Sequence, residues 1–127
     1  MPKITVEYSK NLTDQQAFDP RTLLVEINKA VNSVGEFKEQ NIRSVIHCND
    51  VFVVGIHPEN RAFIEVSIQI IDGRSFAIKN DVTTRVLNVL KAQVKPVGNL
   101  GINFSVDVSD LNRNVFVNEV FVTLPNT

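Results

Sequence analysis

Pro2 becomes chemically unusual once the methionine ahead of it is removed, because its nitrogen is then a secondary amine at the chain terminus. A neutral amine there can act as a base. At neutral pH an amine is ordinarily protonated, but apolar surroundings and nearby cations both disfavour the charged form and lower its pKa. Arginines supply such a charge and also grip carboxylates through paired N–H donors. Two arginines stand in useful contexts. Arg43 lies early in an alternating apolar segment, and Arg74 lies in the turn Asp72-Gly73-Arg74-Ser75 ahead of a helix, where backbone N–H groups also receive anions. Arg74 is the stronger candidate; Arg61 and Arg113 have no comparable setting. Each residue alone reads as ordinary, since proline at position two is common and arginine is usually a solvated surface group. Only together do Pro2, Arg43 and Arg74 point to general-base chemistry on an acidic small molecule.

Other chemistries have less support. His47 and Cys48 are adjacent, so along a strand they face opposite ways and cannot share a metal, and no third ligand is sensibly spaced. Cys48 reads as a core residue and His47 as structural. Gly73 is isolated, so there is no phosphate-binding glycine loop, and no serine sits in a nucleophile elbow.

The elements that must position these residues follow from hydrophobic period. Ile4-Thr5-Val6-Glu7-Tyr8 alternates as a half-buried strand, which ties the N-terminus into a sheet. Asp19-Pro20 opens a helix as N-cap and first residue. Leu23, Leu24, Ile27, Ala30, Val31 and Val34 give that helix one apolar stripe, and Gly35 ends it. A second strand has Ile42, Ser44, Ile46 and Cys48 on one face and Arg43, Val45 and His47 on the other. Val51–Val54 either continues that strand or returns as a hairpin through Asn49-Asp50. A turn at His57–Asn60 precedes a long strand from Arg61 to Ile71. Ser75 caps a second long helix carrying Val82, Val86, Leu87, Leu90 and Val94, which Pro96 ends. Ile102, Phe104, Val106 and Val108 mark a fourth strand, and the apolar stretch Val115–Leu124 reads as a short C-terminal strand.

The order strand–helix–strand occurs twice. Ile4, Val6, Ile42, Ile46 and Asp50 match Ile64, Val66, Ile102, Val106 and Asp110 at one common offset, which suggests an internal duplication. We expect a single α/β domain over 1–127, with repeats at about 2–50 and 61–110 and a tail at 111–127. Each unit makes its two strands parallel, giving a four-stranded sheet with both helices on one face. The other face would then be bare, with Val45, Phe63 and Ile71 on it, so an oligomer is expected.

Composition sets outer limits. The 127 residues suffice for one domain, and 43% hydrophobic with 21% charged residues is globular. The longest apolar runs, such as Val51–Gly55, are too short to span a bilayer, and the first residues lack a signal-peptide pattern. With Cys48 as the one cysteine there is no intrachain disulfide, so a cytoplasmic location is expected. A net charge of −1 with no basic block argues against nucleic-acid binding. No membrane partner is expected either.

Three segments together resemble the tautomerase superfamily, and within it the 5-carboxymethyl-2-hydroxymuconate isomerase family. They are Met1-Pro2 leading into Ile4-Thr5-Val6-Glu7-Tyr8-Ser9, Asn41-Ile42-Arg43-Ser44-Val45-Ile46-His47, and Gly73-Arg74-Ser75 at a helix entrance. The likeness spans nearly the whole chain. It implies a homotrimer of duplicated β-α-β units, with Pro2 as general base, Arg43 and Arg74 on the substrate carboxylates, and neither metal nor organic cofactor. The implied reaction ketonises a carboxylated 2-hydroxydienoate in aromatic catabolism. Departures from the family pattern at Lys3, at Val45 and near Cys48 bear on substrate choice. Related chemistries in the superfamily are a decarboxylase or a hydratase-like dehalogenase, for which Glu7 and Glu65 would be helpers by strand position alone. A retained Met1 would instead suit a non-enzymatic trimeric binding module.

Overall fold

The computed structural model describes residues 1–126. Its central strand begins almost at the terminus. β1 (Lys3–Ser9) lies between β2 (Arg43–Asn49), parallel to it, and β3 (Arg61–Ile71), antiparallel to it; β4 (Gly101–Leu111) then pairs parallel with β3. The sheet order is β2-β1-β3-β4. A one-turn helix α1 (Asn11–Asp14) follows β1, while α2 (Pro20–Ser33) and α3 (Phe76–Gln93) are the crossovers.

The alternation in β1 and β3 decides which face is covered. Ile4, Val6 and Tyr8 of β1 and Ala62, Ile64, Val66, Ile68 and Ile70 of β3 are buried, as are Leu23, Ile27 and Val31 of α2 and Val82, Val86 and Leu90 of α3. The core is therefore the layer between the two helices and the inner strands. Both caps form as expected. The Asp19 carboxylate accepts from the Thr22 amide at 2.9 Å, and the Ser75 hydroxyl accepts from the Ile78 amide at 3.3 Å. Gly35 turns the chain out of α2 at φ +83°, a conformation costly for any residue with a Cβ.

Three expectations need correcting, and one element has no counterpart among them. In the polar stretch after β1, Leu12 inserts fully buried and Asn11–Asp14 forms a helical turn. Val51–Val54 neither extends β2 nor forms a regular hairpin. It folds back as a loop closed by a single bridge between Val54 and His57, with Phe52 against Phe63 at 6.2 Å between ring centroids. Cys48 is exposed rather than core, because β2 is an edge strand and its end lies beyond the helical cover. The C-terminal apolar stretch forms no strand among the described residues. After a 3-10 turn at Arg113–Val115 it runs beside the 3-10 turn Glu39–Asn41, held by Asn118 Nδ2 donating to Asn41 Oδ1 at 3.0 Å. The tail is held there by side chains, and the described part of it adds no strand to the β2 edge.

Truncation of Ile68, fully buried in β3, to alanine is expected to cost about 2–5 kcal/mol. Asp19→Ala is expected to cost about 1 kcal/mol through loss of the cap. Urea unfolding of the two variants checks both.

Candidate active site

Sheet topology brings three chain segments to one end. The start of β1 lies beside the start of its parallel neighbour β2 and the finish of its antiparallel neighbour β3. The first residues therefore meet Arg43 on one side and the turn after Ile71 on the other. Pro2 is buried there, and its carbonyl accepts from the Arg43 amide at 3.2 Å, which carries the β1–β2 ladder one step past the strand.

Arg74 lies at the same end. Its Nη1 donates to the Ile71 carbonyl at 3.2 Å and its Nη2 to the Glu36 carbonyl at 3.0 Å, while its Cζ stands 4.8 Å from the centroid of the Phe37 ring. The amino group of Met1, one residue from Pro2, has its pKa lowered below the ordinary value, first by burial and then by the positive charge of Arg74. The structure thus brings Arg74 to the N-terminus, and an amine there loses its proton more readily than a free one.

Arg43 is placed differently. It pairs in register with Lys3, so both side chains stand on the open face of the sheet, and Arg43 is exposed. Its backbone touches Pro2, but its guanidinium enters no hydrogen bond or ion pair among the described residues.

The turn carrying Arg74 is itself held from outside. Arg113, which had no visible role in the sequence, donates from Nε to Asp72 Oδ1 at 2.6 Å and from Nη2 to the Asp72 carbonyl. These bonds hold the Asp72 carboxyl below its usual range. Gly73 lies under the Arg113 side chain at φ +103°, where a Cβ would stand 2.5 Å from Arg113 Nη2. Arg61 also has a local task, as its Nη1 donates to the Val54 carbonyl at 3.1 Å and fixes the loop before β3. Phe37 and Glu36 are the site residues that the sequence did not reveal. Their contact with Arg74 joins segments 37 and 38 residues apart, and no local pattern encodes it.

A cleft of about 630 Å³ is lined by Lys38, Glu39, Gln40, Asn41, Asn118 and Val120. It lies beside the approach to Arg43 rather than over Pro2. Among the described residues no three His, Cys, Asp or Glu side chains gather as a metal site. Nor is any described helix long and apolar enough to cross a membrane.

Against known proteins, residues 2–120 match the family model described as 5-carboxymethyl-2-hydroxymuconate isomerase. The chain belongs to this family. Membership makes it a tautomerase-superfamily isomerase. A 5-carboxymethyl-2-hydroxymuconate isomerase from Deinococcus radiodurans has a similar structure, at TM-score 0.75 and 22% identity over 93% of this chain and 88% of that one. A 5-carboxymethyl-2-hydroxymuconate delta-isomerase gives TM-score 0.72 at 17% identity over 94% and 88%. A fused 4-OT symmetric trimer gives 0.66 at 18% identity over 88% and 87%. At these identities the structures speak for the fold alone. No curated protein matches the chain.

Gly73→Ala is expected to cost about 1–3 kcal/mol from backbone strain, measured by urea unfolding. Arg74→Met is expected to raise the pKa of the N-terminal amine, because it removes a cation that disfavours the protonated form. An NMR titration of that amine reads the shift directly.

Proposed function

We propose that the chain is a tautomerase that ketonises a carboxylated 2-hydroxydienoate such as 5-carboxymethyl-2-hydroxymuconate, with the Pro2 amine as general base once Met1 has been removed. The observation that carries this reading is the terminus itself. Pro2 is buried at the head of the central strand, and the Met1 amine one residue before it has its pKa lowered, first by burial and then by the charge of Arg74. The family match gives the reaction class.

In this reading the neutral amine takes the proton of the dienol hydroxyl. The O–H electrons become the new carbonyl, the conjugated double bond shifts, and the protonated amine returns the proton to carbon. The product is the unsaturated ketone, and the amine is regenerated. Negative charge builds on the dienolate during transfer, and in this reading Arg74 stabilises it. Arg43, with Lys3 beside it on the open face, takes the more distant carboxylate. A base works best when its pKa lies near the working pH, so lowering an amine's pKa improves it.

We also propose that the working form is a homotrimer acting in the cytoplasm on the products of aromatic ring cleavage. Solved relatives of the same fold include symmetric trimers. Most of the exposed large apolar residues fall in two places, the loop with Val51, Val53 and Ile56 and the tail with Val115, Val117 and Phe121, while Val25, Val45 and Phe76 stand apart from both. Two separate apolar patches on one chain suit a head-to-tail contact that closes into a ring.

The test is an ultraviolet assay of 2-hydroxydienoate ketonisation beside the intact mass of the same sample. We expect a mass lacking one methionine, and a loss of about a hundredfold or more in kcat for Pro2→Ala. A processed, folded protein whose rate is unaffected by Pro2→Ala would refute the mechanism.

A further inference from the structure

Arg74 is held from several sides by groups that carry no net charge. Its hydrogen-bond partners are the Ile71 and Glu36 carbonyls, and its stacking partner is the Phe37 ring. Glu36 contributes its backbone and not its carboxylate. Asp72, the acid nearest in sequence, is tied to Arg113. Among the described residues Arg74 enters no ion pair. Carbonyl dipoles and a ring quadrupole can orient a guanidinium without cancelling it, whereas a carboxylate would do both. Its Nε is buried with no acceptor among the described groups.

Phe37 supplies the firm part of this cradle. It is half-buried and packs against the core, while its neighbours Glu36 and Lys38 are exposed. The left-handed turn at Gly35 brings it back from the end of α2 toward the sheet. We propose that Phe37 is a positioning residue of the proton-transfer site, its ring holding the guanidinium of Arg74 where that charge acts on the N-terminal amine. The kinetic consequence rests on the reading of Pro2 as base; the effect on the amine does not. The other charged groups at this end include Lys3 and Arg43 on the open face, exposed Glu36, the Asp72–Arg113 pair and the Lys79–Asp110 pair, whose Asp110 stands in register with Ile70. None of their side chains forms a hydrogen bond or ion pair with Arg74 among the described residues.

The experiment is a double-mutant cycle read by NMR titration of the N-terminal amine, whether that amine belongs to Pro2 or to Met1. The pH profile of kcat/KM is measured alongside. Phe37→Leu is expected to raise the amine pKa. It should also lower kcat/KM on the acid limb in proportion to that shift, with little change on the plateau. Phe37→Tyr, which keeps the ring face, is expected to restore both. In an Arg74→Met background Phe37→Leu should shift the amine no further, because its effect passes through Arg74. An amine unmoved by Phe37→Leu overturns the proposal, and so does an equal shift with and without Arg74. If Phe37→Leu fails to fold by circular dichroism, Phe37→Met is judged by the same criteria. A protein without tautomerase activity would sink the Pro2 reading, while the amine titration would still decide the role of Phe37.

Discussion

The structure depends on placing a chain terminus in the middle of a sheet. β1 starts at Lys3 and is flanked on both sides, by β2 in parallel and β3 antiparallel. Chain ends usually fray because nothing binds their backbone. Here hydrogen bonding extends past the strand to the Pro2 carbonyl, and Ile4 and Val6 anchor the strand in the core. Strand direction then settles what lies near the terminus. A parallel neighbour contributes its own beginning, which holds Arg43, and an antiparallel neighbour contributes its finish and the turn beyond, which holds Arg74. Reversing either pairing would carry the corresponding arginine to the far end of the sheet.

On the proposed reading the terminal amine must be neutral, and it then needs a cation nearby whose own charge is left standing. A carboxylate partner would fix Arg74 but would largely cancel its field at the terminus. Carbonyl oxygens and an aromatic face avoid that conflict. The arrangement around Asp72 follows the same logic, since Arg113 engages the one acid two residues from Arg74. Gly73 lets the turn pass under the Arg113 side chain. The tail thus contributes to the site through a contact that never reaches it.

Most of the fold was legible because it is written in local period. The limits of β3 from Arg61 to Ile71, the caps at Asp19 and Ser75 and the break at Gly35 are each set by residues within a few positions of one another. Elements decided by tertiary context were not legible. Leu12 makes a helical turn in a polar stretch only because a core exists for it to enter, and Cys48 is exposed only because β2 lies at an edge. The site divides the same way. Pro2, Arg43 and Arg74 could be named as candidates from their settings in the chain and from the family resemblance. Phe37 could not, because an aromatic residue after a helix has no meaning until the fold sets it against a guanidinium.

The two faces of the sheet have unequal work to do. The helix-facing side is filled by the aliphatic residues of β1, β3, α2 and α3 and makes the core without outside help. The open side mixes Lys3, Thr5, Glu7, Glu65 and Ser67 with Val45 and Phe63, and is too polar to be a second core. Glu7 and Glu65 stand directly opposite each other in the β1–β3 pairing, an unfavourable like-charge neighbour pair in an isolated sheet. Arg43 and Lys3 belong to that same face at its other end. The face therefore has a basic end by the terminus and an acidic middle, with apolar residues set among them. Arg74 approaches the terminus from the helix side and Arg43 stands on the open side. A substrate held by both must lie across the sheet's end, where the helix layer gives way to the face that the chain leaves uncovered.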